Sequence, residues 1–504
     1  MPEYLRALLY LLLLSTVFFA FVDRPAVTII GRSHFSQRRN LWFGLTLAAF
    51  LAPSYWVYAF IAVPLLIYAN RRESNPTALF FFILFALPVA TFTIPGGGLI
   101  NYLFELSHAR MLALVILLPA FFFLIRQSDT LPFGRSGAEK LLAAYLLLTV
   151  ILYLRETTIT DTLRQIFYLF VDVFLPFFVI SRSLKNLQTF KNALMSLVIA
   201  IMVLAPIAVF ESFRDWLLYK SLFGILALNG GMTGYLGRDG MLRVSASVGH
   251  PIALGYLMVV GMGFYLFLQG NIQQKFIRRF GMALLAAGLI APLSRGPWVG
   301  ASVLFIVFIA TGRKPVRRLM GLALAGLLAL LLISTLPGGE RVINLLPFIG
   351  TTEKINIDYR ENLITNSMIV IQRNPWFGSI DYLKTPEMLA LYEGGIIDVV
   401  NTFIAIALEQ GFVGLGLFVG FFAVVVIGVR RAMRSIADRE SDEYLLGRVL
   451  LATLLAILVI IVTVSSISII PIVYWSVAGL GVAYAQMVRK LSDNNDLIKD
   501  AYAQ

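Results

Sequence analysis

Long apolar runs separated by short polar connections follow one another along the whole chain. A hydropathy window finds about fourteen such runs, and most approach the roughly 20 residues that a helix needs to cross a bilayer. One run covers residues 77–95, and another, at residues 41–69, is too long for one ordinary span. The pattern predicts an all-α fold, a polytopic transmembrane helical bundle of about 13–14 spans.

The composition excludes a soluble enzyme. Hydrophobic residues make up 59% of the 504 residues and charged residues only 14%, whereas a typical soluble domain is about 25% charged. So much apolar surface would leave large exposed patches that drive aggregation in water. Cysteine is absent, which excludes disulfides, thiolate metal sites and cysteine nucleophiles. No Walker loop, dinucleotide fingerprint or acidic metal pair appears, so we expect neither a metal ion nor a cofactor.

The net charge of +13 reports orientation in the membrane. In a membrane protein an excess of Lys and Arg usually marks cytoplasmic connections, so we expect no nucleic-acid partner. Basic clusters occur at every second connection and at the C-terminal tail, near residues 71–72, 126–140, 182–191, 275–279, 313–318, 430–434 and 489–490. The intervening connections, including residues 212–245, are then expected on the opposite side of the membrane.

The N-terminal topology is open at this point. Arg32, Arg38 and Arg39 lie one span before the cluster at residues 71–72, which would place them outside. If Pro53 divides residues 41–69 into a hairpin, both clusters can be cytoplasmic, and the first segment becomes the additional crossing.

Three regions are expected along the chain. Residues 1–336 would form transmembrane helices with short loops, residues 337–398 a large outward loop, and residues 399–504 the C-terminal spans and a cytoplasmic tail. A loop of this length is usually functional or disordered, and its apolar content favours an ordered small core. The expected core residues are Leu363, Met368, Ile369, Ile371, Trp376, Phe377, Leu389 and Leu391. We expect one helix over residues 359–372 and a shorter one over 385–392.

Three outward arginines from separate segments are candidates for binding one anion. Arg295 interrupts an apolar stretch just before Gly296 and Pro297, where the next helix begins and offers unpaired N–H groups. Arg360 opens the expected outer helix, and its planar guanidinium suits bidentate contact with phosphate. Arg243 leads from the other outer loop into a span. Each also has a simpler interpretation, as a snorkelling side chain or a surface ion pair. Together they favour pyrophosphate as the ligand.

Other polar residues cluster where the chain enters the membrane from the outer side. His250 precedes Pro251 at a helix start and could accept a proton, donate to phosphate or be structural. Asp398 and Asn401 precede a long apolar run, where Asp398 could instead cap the helix. Glu409 lies two turns further along, where an ionisable group is either functional or a packing contact.

The order of these motifs resembles the superfamily of O-antigen ligases and Wzy-type polymerases. The matching stretches are Arg243, then 249–255 (GHPIALG), Ser294-Arg295-Gly296, Arg360, Asn374-Pro375-Trp376-Phe377-Gly378, Asn401-Thr402-Phe403 and 409–415 (EQGFVGL). They cover about residues 240–420, and the first half of the chain matches only in hydropathy.

The resemblance implies a GT-C-like enzyme that takes glycans from undecaprenyl pyrophosphate, without a metal ion or nucleotide, at the periplasmic face of the bacterial inner membrane. By matching position, Arg295 and Arg360 would hold the pyrophosphate, with Arg243 assisting. We expect the catalytic residues to be Arg295, Arg360, His250 and Asp398. The expected substrate-binding residues are Arg243, Tyr359, Asn401, Glu409 and Glu393. Ligases commonly have a His immediately before the position of Asn401, where Val400 stands here. The residue that deprotonates the acceptor is therefore open, among Asp398, Glu393 and His250.

The leading functional hypothesis is a polymerase of lipid-linked repeat units. A ligase that delivers glycan to lipid A core or protein is the alternative within the superfamily, and a flippase for lipid-linked oligosaccharide is the alternative from another class. Flippases often show repeated halves with broken helices, and no such symmetry is visible in this sequence. The implied partners are undecaprenyl-pyrophosphate-linked oligosaccharide, membrane lipid and a chain-length regulator protein.

Overall fold

The computed structural model describes residues 1–98, 100–230, 235–238, 240–335, 354–392, 397–467 and 469–502. The helices are α1 (Glu3–Ile30), α2 (Arg32–Leu51), α3 (Tyr55–Arg71), α4 (Pro76–Ile83), α5 (His108–Arg126), α6 (Gly137–Glu156), α7 (Ile159–Ser183), α8 (Leu187–Arg214), α9 (Lys220–Ile225), α10 (Pro251–Leu268), α11 (Lys275–Ile290), α12 (Arg295–Ala310), α13 (Pro315–Thr335), α14 (Lys354–Arg373), α15 (Pro386–Leu389), α16 (Thr402–Ser435), α17 (Asp442–Val462) and α18 (Ile470–Tyr502). Within these residues, ten helices are long and apolar enough to cross a membrane. The prediction of an all-α polytopic membrane protein is confirmed.

Within the residues that the structure describes, two small antiparallel hairpins accompany the helices. Strand β1 (Thr91–Pro95) pairs with β2 (Tyr102–Ser107), with Thr91 opposite Ser107. Strand β3 (Gly237–Arg238) pairs with β4 (Met241–Leu242). Both hairpins are short connections between helices, and neither closes into a barrel.

The bundle has two chemically different ends. At the end that we call basic, Lys191 of α8 pairs with Asp442 at the start of α17 (2.6 Å), and the buried Arg182 of α7 pairs with Glu139 at the start of α6 (2.7 Å). At the opposite end, which we call distal, the Trp216 indole donates to the carboxylate of Glu3 at the start of α1 (2.9 Å). The basic clusters of the sequence therefore gather at one end.

Helices α2 and α3 form the N-terminal hairpin that the sequence left open. They are joined by a short turn that contains Pro53, and the Ser54 side chain caps α3. The fully buried Arg38 forms a bidentate ion pair with Glu73 (2.9 and 2.8 Å), just beyond the end of α3. Arg38 and Arg71 thus lie at the same end, and α1 is the additional crossing.

The expected span at residues 77–95 is wrong as a continuous helix. Only α4 is helical, and the chain then runs without regular structure through the interior towards β1. Side chains from distant segments form hydrogen bonds with the carbonyl groups of this segment. The His108 ring contacts the Ile83 carbonyl (3.2 Å), and the Ser247 hydroxyl donates to the Phe85 carbonyl (2.7 Å). Non-helical backbone is tolerated at membrane depth when it is buried in protein in this way.

The distal region carries the two expected helices, α14 and the short α15. Leu363, Ile371 and Leu391 are buried in a small core with neighbours such as Met388 and Leu408 of α16. The other expected core residues are exposed: Met368, Ile369, Trp376, Phe377 and Leu389. The prediction for those five is wrong: Met368 and Ile369 lie on the exposed face of α14, and Trp376, Phe377 and Leu389 lie beyond that helix with their side chains exposed.

Candidate functional site

Helix α16 is interrupted near its distal end. Gly411 has φ 66° and ψ −168°, a conformation that is essentially restricted to glycine. A helix break leaves backbone carbonyl and N–H groups without partners, and buried groups of this kind must be satisfied elsewhere.

The Asn374-Pro375-Trp376-Phe377-Gly378 segment fills this break. The N–H of Phe412 donates to the Pro375 carbonyl (2.7 Å), and the N–H of Val413 donates to the Trp376 carbonyl (3.1 Å). On the other side, the N–H of Ser379 donates to the Leu408 carbonyl (2.9 Å). We call this arrangement the loop-in-break unit, defined by residues 374–379 and 408–413. Two motifs that lie about 35 residues apart in the chain are therefore one structural feature.

The end of α6 holds this unit in place. The Glu156 carboxylate accepts hydrogen bonds from the Ser379 hydroxyl (3.0 Å) and from the N–H of Ile380 (2.6 Å). One turn earlier, the Tyr153 hydroxyl donates to the carboxylate of Glu409 (3.4 Å). Glu409 lies two turns into α16, beside the last turn of α6.

Asp398 connects the outer helix to the bundle. The Tyr359 hydroxyl, beside Arg360 on α14, donates to the Asp398 carbonyl (3.0 Å) and accepts from the Asp398 N–H (3.1 Å). The Asp398 carboxylate accepts a hydrogen bond from the Ser465 hydroxyl. Asp398 does not cap α16, because Asn401 fills that role.

The Asn401 side chain accepts hydrogen bonds from the N–H groups of Phe403 (2.9 Å) and Ile404 (3.1 Å). The next residue, Thr402, donates from its N–H (3.1 Å) and its hydroxyl (2.8 Å) to the Val464 carbonyl. The start of α16 is thereby fixed to the segment that follows α17.

The start of α12 contacts that same segment. A Cβ on Gly296 would lie 2.6 Å from the Thr463 hydroxyl oxygen, so any other residue would displace the Thr463 side chain. Leu293 has φ 51°, which is uncommon for a bulky residue. The Ser294 hydroxyl donates to the Pro292 carbonyl (3.2 Å) and accepts from the Arg243 guanidinium (3.1 Å). It makes no capping bond to α12, which begins at Arg295.

His250 caps the helix that packs against this turn. Its Nδ1 accepts from the N–H of Ile252 (3.2 Å), so the proton of the neutral ring is on Nε2. Burial, together with the charge of Arg243, lowers the pKa of His250 to about 4. Gly255 on α10 allows close approach, since a Cβ there would lie 2.9 Å from Pro297. The ring is neutral near pH 7 and can donate a hydrogen bond.

One connected set of contacts therefore joins most of the expected residues at the distal end. It runs from His250 and Arg243 through Ser294 to the start of α12, then through Thr463 and Val464 to Asp398 and Tyr359. Arg295 and Arg360 each lie next to a member of this set. Glu409 belongs to the loop-in-break unit on the α6 side. Glu393 lies outside the described residues.

Two residues of this region were not singled out from the sequence. Buried Glu211 accepts hydrogen bonds from the N–H groups of Leu218 (2.9 Å) and Ala246 (2.9 Å) and so fixes the segment after Arg243. Its signal was an acidic residue at the end of an apolar run. Ser465, which bonds Asp398, lies in a polar stretch between the last two apolar runs.

No group of three or more His, Asp or Glu residues that could hold a metal ion occurs in the described part of the chain. The distal site combines the guanidinium groups of Arg243, Arg295 and Arg360 with several carboxylates, and guanidinium groups can bind an anionic ligand.

A comparison with protein families gives one match. Residues 280–419 match the family model described as O-antigen ligase. This part of the chain is similar to the O-antigen ligase family. It runs from α11 into α16 and includes Arg295, Arg360, Asp398 and the whole loop-in-break unit. The match supports a multi-pass membrane glycosyltransferase of the O-antigen ligase and polymerase type. A comparison with curated proteins gave no match.

Proposed function

We propose that this protein is a polymerase of lipid-linked oligosaccharide repeat units. It would transfer glycan from undecaprenyl pyrophosphate to a sugar hydroxyl of a second lipid-linked repeat. The distal end would face the periplasm of a bacterial inner membrane, and the fold would be GT-C-like. The observation that supports this most is the set of contacts that joins the segments of Arg243, Arg295 and Arg360 at the distal end of a protein similar to the O-antigen ligase family.

The chemistry needs a site that stabilises a departing pyrophosphate. In the reaction the acceptor oxygen bonds to the anomeric carbon while the bond from that carbon to the phosphate oxygen breaks. Negative charge grows on the pyrophosphate, and preorganised donors in a site of low dielectric constant stabilise it without solvent reorganisation. Arg295, Arg360 and the first N–H groups of α12 would supply this stabilisation without a metal ion, with Arg243 assisting.

The proton of the acceptor hydroxyl must be taken up by the protein. Because Nδ1 of His250 already accepts a hydrogen bond and Nε2 carries the proton, we assign His250 to donating towards phosphate. Asp398 is the preferred base, since its carboxylate lies at the junction of α14 and α16. Tyr359, Asn401 and Glu409 would position the substrates, and Glu393 keeps its proposed binding role from the resemblance alone.

A ligase is the second candidate, because the matched family model bears that description. Val400, at the position where ligases commonly have a His, favours the polymerase. Purified protein supplied with lipid-linked repeats alone distinguishes the two: a polymerase produces a ladder of longer lipid-linked glycans. If glycan moves only after lipid A core or a protein acceptor is added, the ligase assignment is correct.

A flippase would move lipid-linked oligosaccharide across liposomes without lengthening it. A chain-length regulator protein is proposed as a partner only on the basis of the polymerase assignment. Copurification of such a protein from membranes, with a change in ladder length when it is removed, would test that part.

A further inference from the structure

An apolar groove opens on the side of the bundle between α1, α8 and α11. Its volume is about 510 Å³, within the range of roughly 300–1,000 Å³ that is usual for ligand pockets. The groove is lined by Leu14, Pro206, Val209, Phe210, Phe213, Phe280, Ala283, Leu284 and Ala287, with Arg214 at one end. Phe213 is 83% exposed, so the groove is open towards the lipid.

The distal rim of the groove carries aromatic rings, the cations Arg6 and Arg214, and the carboxylates of Glu3 and Asp215. The Arg6 guanidinium lies 5.8 Å from the centre of the Trp216 ring, and Tyr10 packs between Trp216 and Phe210. Arg6 and Arg214 form no ion pair with any residue that the structure describes. Tryptophan and arginine commonly lie at the level of lipid head groups. The guanidinium groups of Arg6 and Arg214 can therefore contact the phosphates of a lipid head group.

The inner end is closed by aromatic rings. Phe280 packs against Phe21 of α1 with ring centres 4.9 Å apart, and against Phe276 with ring centres 5.9 Å apart. On α8, residues 206–214 span about 12 Å at 1.5 Å per residue. The groove can thus cover only part of a long chain, and the rest would stay in the bilayer.

The groove lies beside the candidate site. Glu211, one turn before Arg214, accepts the N–H of Ala246 (2.9 Å) in the segment between Arg243 and His250. Helix α11 ends at Ile290, four residues before Ser294, which bonds Arg243. A lipid in the groove would therefore have its head group next to the segments that carry the candidate arginines.

We propose that this groove binds the head-proximal part of the prenyl chain of the pyrophosphate-linked donor, with Arg6 and Arg214 attracting its head group. This inference rests on the proposed function. A prenyl pyrophosphate combines one apolar chain with two phosphates, which matches one apolar groove beside two cationic side chains. An ordinary phospholipid brings two acyl chains and one phosphate, and it fits this arrangement less well.

Photolabelling tests the site without requiring turnover. The full-length protein in nanodiscs of phosphatidylethanolamine and phosphatidylglycerol is exposed to a polyprenyl pyrophosphate with a diazirine near its head. We expect labelled peptides from α8 and α11, and their labelling should fall when unlabelled polyprenyl pyrophosphate is added. If additional phosphatidylglycerol competes equally well, or if the label is found elsewhere, the groove is not the donor site.

A groove-filling variant tests the role in turnover. Ala283→Trp should raise the KM for a long-chain donor about tenfold, which corresponds to about 1.4 kcal/mol, and leave the KM for a short-chain donor unchanged. Ala143→Trp, at an exposed position on α6, is the matched control and should change neither. Equal KM values for the two variants would overturn the inference while leaving the proposed function intact. If the parent protein transfers no glycan, the proposed function fails, and photolabelling still decides the groove.

Discussion

Substituting Gly411 by Ala should release the loop-in-break unit. The backbone of Gly411 lies in a region that costs a non-glycine residue about 1–3 kcal/mol. A Cβ there would lie 2.3 Å from the carbonyl carbon of Trp376 and 2.4 Å from the Phe377 nitrogen. Backbone atoms cannot give way as a flexible side chain can, so the loop must leave the break.

The magnitude follows from the contacts that are lost. Three backbone hydrogen bonds join the loop to α16, from Phe412, Val413 and Ser379. Each contributes about 0.5–1.5 kcal/mol net, so the closed arrangement should lose about 3 kcal/mol. Since 1.4 kcal/mol is a factor of ten, the open state should be populated about a hundredfold more.

Hydrogen exchange followed by mass spectrometry measures this directly. Peptides that contain residues 408–413 should exchange about a hundredfold faster in Gly411→Ala than in the parent. Glycan transfer should fall as well, because the loop continues from α14, which carries Tyr359 and Arg360. The matched control is Gly416→Ala in the same helix, where a Cβ meets no atom within 4 Å.

Equal exchange in the Gly411 and Gly416 variants would refute the close approach of loop and helix. Faster exchange without any loss of transfer would support the packing of the loop in the helix break. It would also show that glycan transfer does not require this packing.

Further predictions concern three other contacts. Tyr359→Phe removes two hydrogen bonds to the backbone of Asp398, each worth about 1 kcal/mol, so glycan transfer should fall about thirtyfold. The His250 pKa of about 4 in the folded protein is below the usual 6.5, so the unfolded state binds the proton more tightly. The contribution of His250 to the unfolding free energy therefore decreases as the pH drops from about 6.5 to 4. His250→Asn, which can still cap α10, should remove this part of the pH dependence of the melting temperature. Glu73→Gln leaves buried Arg38 without its carboxylate partner and should lower the unfolding free energy by about 3–5 kcal/mol.

The Tyr359 and Glu73 variants each have a matched control, and His250→Asn is compared with the parent. Tyr392→Phe alters an exposed tyrosine near the same loop and should leave transfer unchanged. Asp129→Asn breaks the exposed pair with Lys185 and should cost under about 1 kcal/mol. Parental transfer by Tyr359→Phe would contradict a role for the Tyr359 hydrogen bonds. If the parent and His250→Asn melt with the same pH dependence, the reasoning about the His250 pKa is wrong. Equal melting temperatures of the Glu73 and Asp129 variants would contradict the importance of the buried ion pair.

The apolar pattern predicted the bundle because hydropathy identifies the segments that can lie in the bilayer. In the bilayer a helix satisfies the backbone polar groups of such a segment internally. It failed at residues 77–95, where hydropathy is equally high for a helix and for an extended chain buried in protein. The decisive partners, His108 and Ser247, come from distant segments. No local pattern can identify such partners.

The candidate site was predictable to a similar degree. The alternation of basic clusters predicted that Arg243, Arg295 and Arg360 lie on one side of the membrane, and the structure connects their segments at the distal end. The sequence could not reveal that the Asn374-Pro375 segment fills the break at Gly411, since that contact depends on packing between distant segments. The exposed Trp376, at 66%, shows the same limit: an apolar side chain in an ordered loop need not belong to its core.

Glycan transfer by arginine variants tests the central claim most directly. Parent protein and variants are reconstituted in liposomes with a glycan linked to undecaprenyl pyrophosphate, and lengthened product is measured. Arg295→Ala and Arg360→Ala should each lose about 10²–10³ in rate, while Arg279→Ala, an exposed arginine at the basic end, should keep the parental rate. Parental transfer by both Arg295→Ala and Arg360→Ala would contradict the claim that these guanidinium groups hold the pyrophosphate.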